Sequence, residues 1–168
     1  QNIAYSLIGD MVFAVTGDFY THQVEEKIFI PLGMKSATYG RDSLMATGNW
    51  ARPHSYGGKG WVSGTPNENY YHVPPAAGVN SSIADMAIWL NAQLGHYPDV
   101  LSPELLRKTH APLVNTPGEL RSSGWRSERL SRAEYALGWR VFTYQGQKLI
   151  FHGGAVRGYR GLIAFLPD

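Results

Sequence analysis

Apolar residues in the first part of the chain stand at helical spacing. Within residues 2–16 they are Ile3, Leu7, Ile8, Met11, Val12 and Val15. This period places them on one face of an α-helix, and Gly17 is typical of the residue that follows a helix. A second helix is predicted from about Asp18 to Phe29, with Asp18 as its N-cap and Pro31-Leu32-Gly33-Met34 as its end.

The middle of the chain has a long aperiodic stretch followed by two more helices. Residues 35–75 are rich in Gly, Pro, Ser, Asn, Tyr and Trp, and loops of that length tend to be functional. Ser82 with Asp85 resembles a capping box, and the helix it starts is predicted to end at Gly95. The apolar face of this helix consists of Ile83, Met86, Ala87, Leu90 and Leu94. We expect this face, and the apolar face of helix 2–16, to lie in the core. Ser102-Pro103 begins the next helix, which ends before Pro112, and residues 113–134 are expected to be irregular.

From Ala136 onward the apolar period changes from helical to two, which indicates strands. Leu137, Trp139 and Val141 alternate with their neighbours, and Gln145-Gly146 stands where a tight hairpin turn belongs. Further strands are predicted over residues 147–152 and 159–166. The chain is therefore interpreted as an α+β protein in one partial domain, 1–168, with helices and long loops over 1–134 and antiparallel strands over 135–168.

Composition narrows the function classes. Hydrophobic residues make up 43% and charged residues 17%, which favours a packed domain over a disordered one. A formal net charge of +2 without a basic run argues against nucleic acid, and no apolar stretch approaches the roughly 20 residues of a membrane span. There is no cysteine, and the histidines outside residue 152 lack a paired metal-ligand spacing, so no metal is expected.

The segment His152-Gly153-Gly154-Ala155 carries the most informative chemistry. It follows the apolar run Lys148-Leu149-Ile150-Phe151. Two glycines let a ligand approach the strand without meeting a Cβ, and backbone N–H groups there can donate to a negatively charged oxygen. This is typical of one half of a hydrolase site, although a β-bulge or turn explains the glycines as well.

Four segments together resemble the superfamily of serine β-lactamases and penicillin-binding proteins, on its class C branch with related esterases and D-amino-acid peptidases. They are Ile28-Phe29-Ile30-Pro31-Leu32-Gly33-Met34, the stretch from Ala77 to Trp89 (AGVNSSIADMAIW), Ala136-Leu137-Gly138-Trp139 and His152-Gly153-Gly154. The resemblance covers nearly the whole chain. It implies the β-lactamase/transpeptidase fold, and it implies hydrolysis of β-lactams, esters or D-amino-acid peptides through an acyl-serine, without metal or cofactor.

The resemblance also implies residues that this chain lacks. The family's nucleophile stands in Ser-x-x-Lys, and no serine here is followed three residues later by lysine. Gln1-Asn2 is similar to the last two letters of the family's Tyr-x-Asn motif. We therefore expect the chain to be an internal piece of a longer enzyme and to be inactive alone.

The resemblance assigns roles at the expected site. Asn2, His152 and the N–H of Ala155 are the candidate catalytic groups, Ala155 as an oxyanion-hole donor; Gly153, Gly154, Arg157 and Tyr159 are candidate substrate-binding residues. His152 replaces the lysine usual in class C β-lactamases, which favours an esterase or peptidase, and Arg157 restores a positive charge nearby.

Plainer interpretations stay open for most of these residues: a helix cap for Asn2, a solvated charge for Arg157, core packing for Tyr159. The aromatic-rich loop 50–71 is either a substrate rim or a loop anchored by large side chains. For the molecule, the alternative is a non-catalytic penicillin-binding-like or carbohydrate- or peptidoglycan-binding module.

The partners expected are a small-molecule or peptidoglycan-like substrate and, through an uncovered strand edge, other copies of the chain. The resemblance implies export to the periplasm or the cell surface.

Overall fold

The computed structural model describes residues 2–121 and 128–167. Its backbone contacts form two compact units. Unit 1 comprises residues 1–89 and 155–159, and unit 2 comprises residues 90–154 and 160–168. Among the described residues, no helix is both long and apolar enough to cross a bilayer.

Unit 1 begins with helices. Helix α1 is Asn2–Thr16, and after a break at Gly17 the chain forms α2, Tyr20–Val24, a π-helical turn, Glu25–Phe29, and α3, Ile30–Leu32. The helix predicted from about Asp18 begins at Tyr20, but the predicted cap was wrong: the N-cap is Phe19, and the Asp18 carboxylate accepts from the Phe19 N–H at 2.8 Å. Pro31 does not end the helix because it lies in the first turn of α3, where a missing N–H costs little. The end comes at Gly33, which has a φ of 72°.

Helix α1 has the predicted bounds but not the predicted burial. None of its residues is buried, and Ile3 is 74% exposed. Periodicity fixes which side chains share a face, whereas burial depends on what packs against that face. The expectation that these positions are core was therefore wrong for the residues described.

The stretch expected to be irregular contains several short elements. They are β1, Thr38–Tyr39; α4, Arg41–Ala46; β2, His54–Tyr56; β3, Trp61–Ser63; and a 3₁₀ turn, Asn69–His72. β2 and β3 form an antiparallel hairpin, and β1 pairs with β4, Val79–Asn80. Asn80 joins these pieces, because its amide donates to the Gly40 carbonyl at 2.8 Å and accepts from the Tyr71 hydroxyl at 2.7 Å.

Helix α5, Ile83–Gln93, starts as the capping pattern predicts, with the Asp85 N–H donating to Ser82 Oγ at 3.1 Å. Its predicted apolar face was partly wrong. Ile83 is 88% exposed and Ala87 is exposed, whereas Asp85 is buried and accepts from the Ser36 N–H at 2.9 Å. A charged residue is buried here because a backbone donor satisfies it.

Unit 2 is built on a five-stranded sheet in the order β5-β6-β7-β8-β9. The strands are β5, Val114–Asn115; β6, Leu130–Tyr135; β7, Arg140–Tyr144; β8, Gln147–Val156; and β9, Tyr159–Phe165. β7 and β8 are joined at Gln145-Gly146, both with positive φ, as the predicted tight turn requires. The prediction of an irregular segment to residue 134 missed β5 and β6, and residues 122–127 of it lie outside the described part. β8 also runs to Val156 instead of ending at His152.

The core of unit 2 lies on both faces of this sheet. One cluster is Ala136, Trp139, Val141, Ile150 and Phe165, with Leu90 and Ile163 packed against it; the other is Ala133, Phe142 and Phe151. Trp139 is buried, as its alternation predicts. Helix α6, Pro103–His110, is capped by Ser102 Oγ, and its last residue is buried with Nε2 2.8 Å from Gln93 Oε1.

Candidate active site

Strands β8 and β9 with their two-residue turn carry every predicted site residue except Asn2. Strands joined by two residues must run antiparallel, so the sequence from His152 to Tyr159 forms a hairpin. His152, Gly153 and Gly154 belong to unit 2, and Ala155, Arg157 and Tyr159 belong to unit 1.

His152 is half-buried on β8 and contacts Tyr135 at the end of β6. Its Nε2 lies 3.1 Å from the Tyr135 hydroxyl, and the two rings meet edge to face with centroids 6.0 Å apart. Burial lowers the pKa of His152, and the positive charge of Arg140 lowers it further. A backbone hydrogen bond at Gly153 acts in the opposite direction. The imidazole is therefore neutral at pH 7.

The two glycines after His152 leave the strand face uncovered. A Cβ built at Gly154 meets no heavy atom within 4 Å, and one at Gly153 meets Leu162 Cδ1 only at ordinary contact distance, 3.7 Å. Neither glycine has a positive φ. Local packing and backbone conformation thus do not require glycine at these positions, which favours the ligand-approach interpretation over a turn.

The turn after β8 fits closely against an upstream segment of unit 1. Gly158 has a φ of 81°, and its carbonyl accepts from the His54 N–H at 2.9 Å. A Cβ at Gly158 would lie 2.5 Å from the Cβ of Pro53, closer than real Cβ atoms approach. The base of the β2–β3 hairpin is therefore fixed to the turn that holds Arg157, itself exposed.

Tyr159 strengthens the same attachment. Its hydroxyl donates to the Ala51 carbonyl at 2.9 Å, and burial raises its pKa, with the nearby Tyr71 adding to the effect. Because the hydroxyl is engaged, a substrate that reached Tyr159 would contact its ring.

Asn2 lies in the first turn of α1, where its backbone carbonyl accepts from Ser6 Oγ at 2.9 Å. Gln1, the other residue of the expected motif, lies outside the described residues. The catalytic role of Asn2 stays a prediction.

Two features near the candidate residues were not predicted from sequence. The first is the Tyr135–His152 contact, for which the only signal was a tyrosine directly before Ala136-Leu137-Gly138-Trp139. The second is an ion pair between Arg140 and Glu119, which places a charged group within electrostatic range of His152. Both join residues that are far apart in the sequence, and local patterns do not reveal such contacts.

The aromatic loop was predicted only as a stretch of residues, and the structure gives it a shape. Tyr56 and Trp61 face each other across the β2–β3 hairpin with ring centroids 5.7 Å apart, and Trp61 is 73% exposed. Within residues 2–121 and 128–167, no three His, Asp or Glu side chains cluster as metal ligands.

A model of the family called Beta-lactamase matches residues 1–168. The chain belongs to the beta-lactamase family. Beta-lactamase-family proteins of this kind are serine hydrolases, and the mixed helices and antiparallel strands described above are those of the β-lactamase/transpeptidase fold.

Beta-lactamase relatives match the chain along its whole length but are much longer. "Unguisins hydrolase ungD'" of Aspergillus campestris is 29% identical over 180 residues, covering 100% of this chain and 30% of its own length. The octameric penicillin-binding protein homologue from Pyrococcus abyssi superposes with a TM-score of 0.80 at 23% identity, covering 99% of this chain and 35% of its own. A D-stereospecific amidohydrolase from Streptomyces superposes at 0.74 with 19% identity, covering 100% and 46%. The chain thus spans about a third of the length of the curated relative.

Proposed function

We propose that the chain is part of a serine acyl-hydrolase whose preferred substrates are esters or D-amino-acid peptides without a carboxylate at the recognition position, with β-lactams as poorer substrates. The observation that carries the proposal is the neutral, half-buried imidazole of His152 beside two glycines on β8. A lysine there would offer a permanent cation to a carboxylate, whereas a neutral imidazole offers one donor and one acceptor. The name of the fungal relative, a hydrolase, supports hydrolysis.

In this proposal the nucleophile is a serine outside the 168 residues. Its oxygen attacks the acyl carbonyl carbon, and the bond to the leaving alcohol or amine breaks as that group takes a proton. Water then attacks the acyl-serine, releases the acid and restores the serine. The N–H of Ala155 donates to the oxyanion in both steps, and loss of one such donor costs about 100–1,000-fold in rate. Asn2 holds the substrate amide.

A second candidate is a non-catalytic module that binds peptidoglycan pieces or carbohydrate. The exposed Tyr56 and Trp61 favour it, because aromatic faces bind apolar ligand surfaces. The two candidates differ in one respect: only the hydrolase forms a covalent adduct.

The decisive experiment uses the parent polypeptide that contains these residues. We expect it to form a one-to-one adduct with a fluorophosphonate or a fluorescent penicillin in intact-mass spectra. We also expect it to hydrolyse a neutral p-nitrophenyl ester faster than a carboxylate-bearing cephalosporin. Absence of any adduct would support the binding module instead.

A separate experiment tests the claim that His152 disfavours substrates that carry a carboxylate. His152→Lys introduces a fixed cation, and a charge-assisted bond is roughly 1–1.5 kcal/mol stronger than a neutral one, so preference for the cephalosporin over the ester should rise about tenfold. His96→Lys, at an exposed position, is the control that adds the same charge elsewhere. An unchanged preference in His152→Lys would remove His152 from the recognition site.

The location of the parent belongs to the proposal too. We assign the parent to the periplasm or the cell surface, since β-lactamase-family proteins are often exported. Appearance of the parent in the cytoplasmic fraction after cell fractionation would contradict this.

A further inference from the structure

Tyr135 occupies a fixed position in the sheet of unit 2. Its backbone pairs with Arg140 of β7 on one side and Val114 of β5 on the other, and its carbonyl accepts from the Leu113 N–H at 2.9 Å. A residue paired on both sides has little backbone freedom, so its side chain projects from a fixed place in the sheet. Its hydroxyl lies 3.1 Å from Nε2 of His152.

The protonation of His152 determines what this contact can do. The ring is neutral because burial, followed by the charge of Arg140, lowers its pKa. A neutral imidazole carries one N–H and one lone pair, and the partner of each nitrogen decides which nitrogen holds the proton. The partner of Nε2 therefore decides the tautomer.

The partner of Nε2 identifies the tautomer. A phenol O–H is a good hydrogen-bond donor, and the lone pair of a neutral imidazole is a good acceptor. The Tyr135 O–H, 3.1 Å from Nε2, therefore donates to that nitrogen. Nε2 then carries the lone pair, and the proton of the neutral ring is on Nδ1.

We propose that Tyr135 is a positioning residue that holds the imidazole of His152 as the Nδ1–H tautomer in one orientation. For its effect on turnover this inference rests on the proposed function, whereas the tautomer itself does not. In this arrangement His152 is not a free proton carrier. It is a neutral group held in one orientation at the residue before Gly153-Gly154-Ala155.

The direct test is a tautomer measurement on the parent polypeptide labelled with 15N-histidine. Long-range 1H–15N spectra separate the two ring nitrogens, and His152→Gln identifies the His152 signals by their loss. We expect the Nδ1–H form in the wild type and a mixture of tautomers in Tyr135→Phe. Identical ring-nitrogen shifts in both proteins would overturn the inference.

The matched control is Tyr144→Phe. Tyr144 ends β7 of the same sheet, and its hydroxyl accepts from Arg129 at 3.0 Å, so this variant also loses a tyrosine hydroxyl without touching His152. It should leave the His152 signals in place. Melting temperatures of the two variants, measured alongside, separate a change at His152 from general destabilisation.

Kinetics provide a second readout if the parent turns over an ester. Loss of one hydrogen bond predicts a fall of about five- to tenfold in kcat/KM for Tyr135→Phe. In the His152→Gln background the same change should have no further effect, because Tyr135 acts through His152. If the double variant lost the product of the two single-variant factors in kcat/KM, the inference would be contradicted. Absence of any turnover would count against the proposed function alone, since the tautomer measurement stands without it.

Discussion

Gly158 is the residue at which a single added methyl group should have the largest effect. Its φ of 81° suits glycine, and a Cβ there would meet Pro53 Cβ at 2.5 Å and the His54 nitrogen at 2.9 Å. We expect Gly158→Ala to lower the free energy of unfolding by about 2–4 kcal/mol, from conformational strain plus overpacking. Chemical denaturation monitored by tryptophan fluorescence measures it.

Gly146→Ala is the control for conformational strain. Gly146 has a similar φ, 83°, but no atom within 4 Å of the Cβ position. This variant should lose only about 1–2 kcal/mol. Equal losses in the two variants would show that the contact with Pro53 and His54 has no energetic weight.

We expect His110 to make the stability of the protein depend on pH. It is buried against Trp139 and Phe165, and burial followed by the charge of Lys148 lowers its pKa. As pH falls below the unfolded value of about 6.5, the unfolded chain takes up a proton before the folded one does. Stability should therefore be complete above that value and decline as pH falls toward the lowered folded pKa; His152, with its own lowered pKa, contributes in the same direction.

The check is the free energy of unfolding at a series of pH values between about 7.5 and 5. His110→Gln should flatten the decline, because it removes the titrating group. A slope unchanged by His110→Gln would assign the pH dependence to other groups.

At the scale of elements, the β2–β3 hairpin combines an attached base with an exposed aromatic side chain. Its base is attached to the Gly158 turn while Trp61 is exposed. Trp61→Ala should change the free energy of unfolding by less than about 0.5 kcal/mol, as exposed residues do. In the parent it should lower kcat/KM for an aromatic acyl ester about five- to tenfold, from loss of one aromatic contact, and leave an acetyl ester unaffected.

Val62→Ala is the matched control, because Val62 is an exposed neighbour on the same strand. It should preserve both rates. If kcat/KM for each ester is the same in Trp61→Ala as in the wild type, the hairpin has a structural role only.

The elements also show where sequence patterns succeed and fail. Helical spacing located α1 and α5. The tight turn at Gln145-Gly146 was predicted because its backbone needs a positive φ, which glycine adopts readily. β6 was missed because its side chains do not alternate cleanly between buried and exposed. The π-helical turn was missed since residue type does not specify its hydrogen bonds.

In the candidate site, too, local features were predicted from sequence and long-range contacts were not. The glycines at 153 and 154 were singled out from sequence, because a missing Cβ is a local property. Tyr135 and Arg140 act on His152 from other strands, and that proximity depends on the register of β6, β7 and β8. Local sequence cannot specify such a register.

At the scale of the whole molecule, the 168 residues alone are expected to be catalytically silent. They contain no Ser-x-x-Lys, the motif that holds the nucleophile in the superfamily that the chain resembles. A chain of residues 1–168 should show no mass adduct with a fluorophosphonate and no hydrolysis of a p-nitrophenyl ester above a buffer blank. Turnover that survives His152→Ala would contradict both the family's mechanism and the assignment of His152.

The same chain is expected to associate with itself. Its α1 side chains Ile3, Leu7 and Met11 are each more than half exposed, and β9 is the last strand of the sheet among the described residues. Light scattering should give a mass that rises with protein concentration. Leu7→Gln with Met11→Gln should lower that mass, and a concentration-independent monomer would contradict the expectation.

The hydrogen bond between the His54 N–H and the Gly158 carbonyl also makes local opening of the hairpin measurable by amide hydrogen exchange. Each time the Gly158 turn separates from the segment that contains His54, the His54 amide becomes open to solvent and can exchange its hydrogen for deuterium. The exchange rate of one backbone amide therefore reports how often the end of β8, and with it Ala155, leaves its resting position. A ligand that binds on this strand should slow that exchange even when it is never turned over.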